Sequence, residues 1–209
     1  MKTMLFKHIF MKIKQNFKRF LSLLFMALLG IGFYAGIEAC SPDMLKTLDK
    51  FYDDNDVYDI MILSNLGLNN KDVDSLSEID GIDKVVGSYE KDTYLKLNNE
   101  QFVIKVLGLS DNINKVYLED GRLPQNNEEI VVEKKMVLDN NLSIGDYINI
   151  LGGDKKIVGT VISPLYFSTE RPSTNLGSGK VNYYAYTLSD LLKNDYYSVV
   201  YVTINDTAD

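Results

Sequence analysis

Phe20 to Ile37 reads FLSLLFMALLGIGFYAGI, eighteen residues without a charged side chain. An α-helix rises ~1.5 Å per residue and the hydrocarbon core of a bilayer is ~30 Å thick, so this run is just long enough to cross a membrane. The residues before it include six Lys and Arg and no Asp or Glu. By the positive-inside rule, this asymmetry predicts a single-pass protein of the cell membrane, with residues 1–19 cytoplasmic, a transmembrane helix over 20–39 and residues 40–209 extracytoplasmic.

A cleaved signal peptide and a lipoprotein signal are the alternatives to a retained helix. Signal peptidase needs small residues at positions −3 and −1, but Ile37-Glu38-Ala39 has a bulky residue at −3. Lipidation would use Cys40, the only cysteine, but a glutamate directly precedes the small Ala39. A retained helix is therefore the preferred interpretation, with Cys40 as a small residue at its end and no partner for a disulfide.

Residues 5–20 have the pattern of a basic amphipathic helix, with apolar side chains on about one third of the helical circle. Such a segment lies in the inner membrane interface. Two interpretations stay open: a charged anchor that only sets the topology, and a surface that contacts a cytoplasmic partner. The candidate cytoplasmic interface consists of Phe6, Ile9, Phe10, Ile13 and Phe17.

Small residues repeat every fourth position along the predicted span. Gly32 and Gly36, followed by Cys40, fall on one face of a helix. A small-xxx-small pattern lets a second helix approach closely, so we expect these glycines to be helix-packing positions.

Residues 40–56 predict a short helix that continues the span as a stalk. Ser41 has the character of an N-cap and Pro42 that of a first helical position. The acidic run Asp53 to Asp56 lacks the ligand spacing, the glycine and the final glutamate of a calcium loop, so it is interpreted as a solvated helix end.

The composition beyond Ile37 excludes several classes of function. This part has 16 Lys and Arg against 29 Asp and Glu, a net charge of −13, which disfavours nucleic acid as a partner. His8, the only histidine, precedes the span, so no His-based catalytic triad or His/Cys zinc site is predicted outside. Glu128-Glu129 is interpreted as solvated acidic surface. No catalytic, cofactor-binding or metal residue is predicted, and the chain is not expected to be an enzyme.

Residues 177–180 resemble a phosphate-binding loop but do not match its full signature. Gly177-Ser178-Gly179-Lys180 resembles the end of a phosphate-binding loop, but Thr174 and Val181 stand where that signature needs Gly and Ser or Thr. Residues 168–180 are therefore expected to be a flexible extracytoplasmic loop.

The outer residues predict an α+β domain over 57–209. Strand 57–63, helix 70–79, and strands 85–97 and 101–109 around Asn98-Asn99 give the order β-α-β-β, with which a ferredoxin-like half begins. A β-rich insertion over 115–170 follows, with a turn-rich crossing over 118–124 near its start. Its predicted elements are a strand over 129–133, a short helix over 136–138, and a hairpin of strands 147–151 and 156–162 across 152–154. A strand over 183–186, a helix at 191–192 and a strand over 198–204 return to the first subdomain.

In order and spacing, the motifs resemble the N-terminal part of an FtsX-like ABC transporter permease with a MacB-like periplasmic core domain. The best local matches are Glu119 to Pro124, Glu129 to Val132, Gly145-Asp146, Val158 to Ile162, and Ser163 to Tyr166 with the 177–181 loop. The resemblance implies a porter-like subdomain (57–110 and 183–209) around the inserted one. It also implies a cytoplasmic ABC ATPase as partner, beside membrane lipid and either the remaining permease helices or a second permease copy.

One feature departs from the resemblance. The family carries at least four membrane helices, whereas this chain shows one, so a fragment or split gene product is expected. For the whole protein, the resemblance implies a permease that couples cytoplasmic ATP hydrolysis by a partner to extracytoplasmic conformational change, for export or mechanotransmission. The alternative is a single-span anchored binding or sensor module without transport activity.

Overall fold

The structure, a computed structural model, describes residues 2–166 and 171–205. The chain divides into two compact units, Met1–Lys50 and Phe51–Asp209. The start of the loop predicted over 168–180 and the last residues of the segment 183–209 lie outside the described residues. The second unit is called the α/β domain below.

Two helices make up the N-terminal part: α1 (Lys2–Gln15) and α2 (Phe17–Asp54). Backbone hydrogen bonds continue through Asn16, which donates to Lys12 and accepts from Phe20 at 3.1 and 3.0 Å. α2 has 38 residues and an apolar window of mean hydropathy 2.1. In the part of the chain that the structure describes, α2 is the helix long and apolar enough to cross a membrane.

The predicted helix start at Ser41 is wrong, because Pro42 lies inside α2. A proline lacks the N–H that would donate to the preceding turn, so it removes one backbone hydrogen bond. Helical turns on both sides keep the remaining ladder intact. The predicted stalk is thus the C-terminal part of the same helix as the apolar run.

The α/β domain contains ten strands and three helices among its described residues. In chain order they are β1 (Ile60–Ile62), α3 (Asn70–Ser77), β2 (Ile82–Ser88), β3 (Glu90–Leu97), β4 (Glu100–Gly108), β5 (Tyr117–Gly121), β6 (Glu129–Glu133), α4 (Lys134–Asn140), β7 (Tyr147–Ile150), β8 (Gly153–Ile162), β9 (Tyr183–Thr187), α5 (Ser189–Leu192) and β10 (Val199–Ile204). The predicted class, one apolar N-terminal helix followed by a mixed α/β domain, is confirmed.

A small antiparallel sheet has the order β1-β10-β2. α3 packs Val73 and Leu76 against Val200 and Val202 of its central strand. Asn69 begins α3 with a capping box. The Asn69 side chain accepts a hydrogen bond from Lys71 N–H, and the Asp72 side chain accepts one from Asn69 N–H. Two otherwise unpaired backbone donors are satisfied in this way.

A larger sheet has the order β3-β4-β9-β6-β8-β5, and β7 pairs with β8. Alternate residues of its central strands point to opposite faces, and both faces are buried. Met136 of α4 and Ile148 and Ile150 of β7 cover one face. Leu165 and Tyr166 pack on the other face, and Leu165 also contacts the core beside the small sheet.

The ferredoxin-like detail is not confirmed, because the predicted β-α-β-β strands divide between two sheets. The single strand predicted over 85–97 is two strands, β2 and β3, interrupted at the buried Tyr89. β2 pairs with β10, whereas β3 pairs with β4. β9 joins β4 to β6, so the large sheet contains strands from both the predicted porter-like part and the predicted insertion. Strand periodicity does not reveal that a chain passes from one sheet to another.

Local turn chemistry agrees better with the sequence. Asn98 and Asn99 have φ of 49° and 70° and join β3 to β4 in a two-residue hairpin, as predicted. The second hairpin turns at Leu151-Gly152, with φ of 57° and 80°, one residue earlier than the predicted 152–154. β5, predicted as part of a turn-rich crossing, is a strand that pairs with β8.

Candidate functional site

The chain enters the α/β domain through a turn that is tied down on several sides. Asp56 follows the end of α2 with a positive φ of 46°. Its carboxylate accepts hydrogen bonds from Lys84 of β2, at 2.5 Å, and from Lys115. Hydrogen bonds from Lys115 first, and then from Lys84, hold the pKa of Asp56 below its ordinary value. The side chains of Asp56, Lys84 and Lys115 are called the entry clamp.

Backbone hydrogen bonds reinforce the entry clamp. Asn114 N–H donates to Asp56 O at 2.8 Å, and Lys115 N–H donates to Asn55 O at 2.9 Å. The Asn114 side chain accepts from Tyr58 N–H at 3.0 Å. The clamp therefore joins the turn after α2 to both β2 and the loop after β4. The prediction that Asp53 to Asp56 is a solvated helix end is therefore wrong for Asp56, because its lysine partners are 28 and 59 residues away in sequence and lie beside it only in the folded domain.

A second group of charges lies where the two sheets meet. Glu90 begins β3, immediately after the chain leaves β2, and Lys105 of β4 lies 3.3 Å from it and 3.0 Å from Asp92. The Tyr201 hydroxyl of β10 donates a hydrogen bond to the Glu90 carboxylate. Ser198 Oγ also donates to Glu90 O and accepts from Glu90 N–H, both at 3.2 Å. Strands from both sheets therefore meet at one carboxylate, and this group is called the sheet junction.

Burial sets the electrostatics of the junction. By itself burial lowers the pKa of Lys105, but the charges of Glu90 and Asp92 outweigh it and raise that pKa above its ordinary value. Burial, followed by the Glu90 charge, raises the pKa of Tyr201. Both shifts keep Lys105 charged and Tyr201 neutral at physiological pH, so Lys105 can form salt bridges to Glu90 and Asp92 while Tyr201 donates a hydrogen bond.

An aromatic stack lies on the face of the large sheet that also carries the sheet junction. The Tyr166 and Tyr184 rings are parallel with centroids 3.7 Å apart, and the Arg171 guanidinium lies 4.8 Å from the Tyr184 centroid. Arg171 also makes a bidentate pair with Glu133, at 2.9 and 2.8 Å. Burial raises the pKa of Tyr184 to about 12. From residue 171 onward, the segment predicted as a flexible loop is therefore held by specific contacts, including Gly177 N–H to the Tyr94 hydroxyl at 3.0 Å.

The motif residues that carry the family resemblance converge around β5 and β8. Gly121 lies opposite Gly159 in the strand register. Arg122 pairs with both carboxylate oxygens of Glu129, and Gln125 N–H donates to Glu129 at 2.8 Å. The side chain of Arg122 thus connects the end of β5 to the start of β6. Arg122 and Glu129 therefore hold these motif segments together.

The predicted Glu128-Glu129 surface pair is accordingly two different residues. Glu128 is exposed, whereas Glu129 is buried and fully engaged with Arg122. The hydrogen bond from Arg122, then that from Gln125, lowers the pKa of Glu129 to about 2. The prediction of solvated surface is therefore wrong for Glu129, because the arginine seven residues earlier lies beside it only after β5 and β6 assemble.

An open groove of about 530 Å³ lies between α4 and β5. Val137, Leu138 and Ile144 form apolar wall, while Glu119 pairs with Lys134 at its edge. Within the described ranges, no group of three or more His, Cys, Asp or Glu is arranged to hold a metal.

The predicted membrane and cytoplasmic positions lie on exposed helix surface. A Cβ added to Gly32 or Gly36 would meet no atom within 4 Å. Phe6, Phe10 and Phe17 are exposed on α1 and at the start of α2, Ile9 is exposed, and Ile13 is half-buried. Their roles in helix packing and in a cytoplasmic interface stay predictions.

Comparison with known proteins returns similarity in structure only. No family model and no curated protein matches the sequence. The extracellular domain of the noncanonic ABC-type transporter YknZ from Gram-positive bacteria is 20% identical, with a TM-score of 0.47 over 72% of this chain and 82% of that one. The periplasmic region of MacB from Actinobacillus actinomycetemcomitans is 16% identical, with a TM-score of 0.44 over 71% and 68%.

Proposed function

We propose that this chain is the N-terminal, membrane-anchored portion of an ABC transporter permease of the FtsX/MacB type. In this role it couples ATP hydrolysis by a cytoplasmic partner to conformational change outside the membrane. The observation that carries the proposal is the continuity of α2, which includes the whole apolar run and ends at the entry clamp. A helix of 38 residues is about 57 Å long, roughly twice the hydrocarbon thickness, so α2 extends well beyond the apolar run that it contains.

The proposed path of coupling uses contacts described above. A shift of α2 acts on Asp56, and through its carboxylate on β2 and the loop after β4. β2 pairs with β10, which carries Tyr201 to the sheet junction at Glu90. The strand pairing of β2 with β10 and the packed core of the small sheet support this path, because packed structure does not deform continuously.

Two partner surfaces belong to the same proposal. Three exposed aromatic side chains, Phe6 and Phe10 of α1 and Phe17 at the start of α2, are assigned to the cytoplasmic ABC ATPase. Gly32 and Gly36 are assigned to the remaining permease helices or a second permease copy, because a glycine face allows close helix approach. The topology assumed has residues 1–19 inside and the α/β domain outside, in agreement with the charge asymmetry.

Co-purification from the native membrane tests the proposal. The tagged chain is crosslinked, purified and analysed for partners, beside the variants Phe6→Ser/Phe10→Ser and Gly32→Ile/Gly36→Ile. We expect an ABC ATPase and a multi-span permease piece with the unaltered chain. The serine variant should lose the ATPase and keep the helices, and the isoleucine variant should lose the helices. Recovery of the chain alone, folded in the membrane, would instead support a single-span anchored sensor.

A further inference from the structure

A shallow, open groove lies along one face of α1 and the first turns of α2, on both sides of Asn16. Its volume is about 450 Å³. The residues that matter for its chemistry are Ile9, Lys12, Ile13, Asn16, Arg19 and Phe20. The groove belongs to a single unit of the chain and lies directly before the apolar run that begins at Phe20.

The groove has a cationic side and an apolar side. Lys12 and Arg19 are seven residues apart, which is about 10 Å and two helical turns, so both side chains extend from the same face. Ammonium and guanidinium groups both donate charge-assisted hydrogen bonds to phosphate oxygens. Ile13 and Phe20 supply the apolar wall. No acidic residue precedes Glu38 in the sequence, so no carboxylate of this segment competes for the two cations.

We propose that this groove binds one anionic glycerophospholipid, with the phosphate between Lys12 and Arg19 and an acyl chain along Ile13 and Phe20. Charge complementarity selects an anionic head group. The apolar wall selects a lipid over free phosphate, because inorganic phosphate would leave that wall in contact with water. Continuity with the membrane span keeps the groove at the depth where head groups and acyl chains meet.

The site divides the amphipathic surface between two occupants. Ile9 and Ile13 face the lipid groove, whereas Phe6, Phe10 and Phe17 remain for the proposed ATPase contact. The lipid proposal rests on the membrane anchor alone and needs no ATPase. A failure to recover an ATPase would leave it intact.

The chain itself offers a matched control. Lys14 and Lys18 lie away from this face of the helix, about 160° and about 120° from Lys12 at 100° per residue, and neither lines the groove. The variants Lys12→Gln/Arg19→Gln and Lys14→Gln/Lys18→Gln remove the same two charges. Non-specific attraction to an anionic surface should fall equally in the two double variants. A specific lipid site in the groove should be lost only in Lys12→Gln/Arg19→Gln.

The experiment measures lipid retention by the purified full chain. Protein is exchanged from mixed micelles of phosphatidylglycerol and phosphatidylcholine, and the lipid bound per chain is counted by native mass spectrometry. We expect about one phosphatidylglycerol on the unaltered chain, retention by Lys14→Gln/Lys18→Gln, and an occupancy at least fivefold lower for Lys12→Gln/Arg19→Gln. Circular dichroism checks that all three remain helical.

Three outcomes would overturn the proposal. Equal loss in both double variants means a diffuse basic surface, and equal retention in both means that the groove is not the site. A third arm adds millimolar inorganic phosphate during exchange. Displacement of the lipid by phosphate would show a phosphate site that does not use the apolar wall.

Discussion

At the scale of single residues, the close approach of β5 and β8 depends on glycine. A Cβ built on Gly159 would lie 2.7 Å from the carbonyl oxygens of both Asp120 and Arg122. Real Cβ atoms do not come this close to backbone, so a side chain there would force the two strands apart. The glycine in the Val158 to Ile162 motif is thus required by packing between strands.

Gly159→Ala is expected to lower the free energy of unfolding by about 1–3 kcal/mol, the usual cost of inserting a methyl group where backbone must shift. Urea denaturation of the full chain in detergent, followed by tyrosine fluorescence, measures it. Gly153→Ala in the same strand is the control, because its Cβ would meet nothing within 4 Å. Equal stability of the two variants would contradict the strand geometry.

Glu129 should make part of the stability depend on pH. Its pKa of about 2 in the fold lies below the ordinary value of 4.5, so its contribution is present above pH 4.5 and is lost as the pH falls toward 2. Glu129→Gln should lower the urea midpoint at pH 7 and flatten the dependence of that midpoint on pH between 4.5 and 2. The neighbouring exposed Glu128→Gln should leave both unchanged, and a similar loss in both variants would refute a special role for the Arg122 pair.

At the scale of elements, the entry clamp and the sheet junction connect helices, strands and loops that are distant in sequence. The end of α2, β2 and the loop after β4 meet at Asp56. β3, β4 and β10 meet at Glu90. In both places a carboxylate joins segments that are far apart in sequence, so each element is held by long-range pairing as well as by its own hydrogen bonds.

Asp56→Asn removes the charge that both lysines share and should loosen the end of α2. Since Lys84 and Lys115 are partly exposed, we expect an effect of about 1 kcal/mol or less. Hydrogen exchange at Val57 and Asn114 should speed up by as much as about fivefold, because both amides donate within this turn. Asp54→Asn, exposed and two residues earlier, is the control. Unchanged exchange in Asp56→Asn would mean that the backbone bonds alone hold the turn.

At the scale of the whole molecule, the proposed orientation can be tested with the one native thiol. Cys40 is exposed and follows the apolar run. If residues 40–209 are outside, a membrane-impermeant maleimide added to intact cells should label Cys40. In Cys40→Ser/Lys7→Cys, the only thiol is expected in the cytoplasm, and labelling should require permeabilised cells. The reverse pattern would overturn the topology proposed from the charge asymmetry.

The sequence by itself determined the features that depend on local chemistry. Eighteen uncharged residues must form a helix that can lie in a membrane, because backbone groups there need partners within the segment. Asn98-Asn99 favours a tight hairpin, since asparagine tolerates positive φ. Strands predicted over 129–133 and 183–186 are β6 and β9, and the mixed class followed from the order of the predicted elements. None of these inferences required knowledge of which strand pairs with which.

Only the tertiary structure decided the sheet partners, the entry clamp and the sheet junction. The split at Tyr89 sends β2 and β3 to different sheets, although the sequence over 85–97 has one continuous strand pattern. Glu90 meets Tyr201 across 111 positions, and Asp56 meets Lys115 across 59. Periodicity reports which face of an element is apolar, whereas these contacts depend on how buried faces and charges are brought together over long separations, and that is settled by packing of the whole domain.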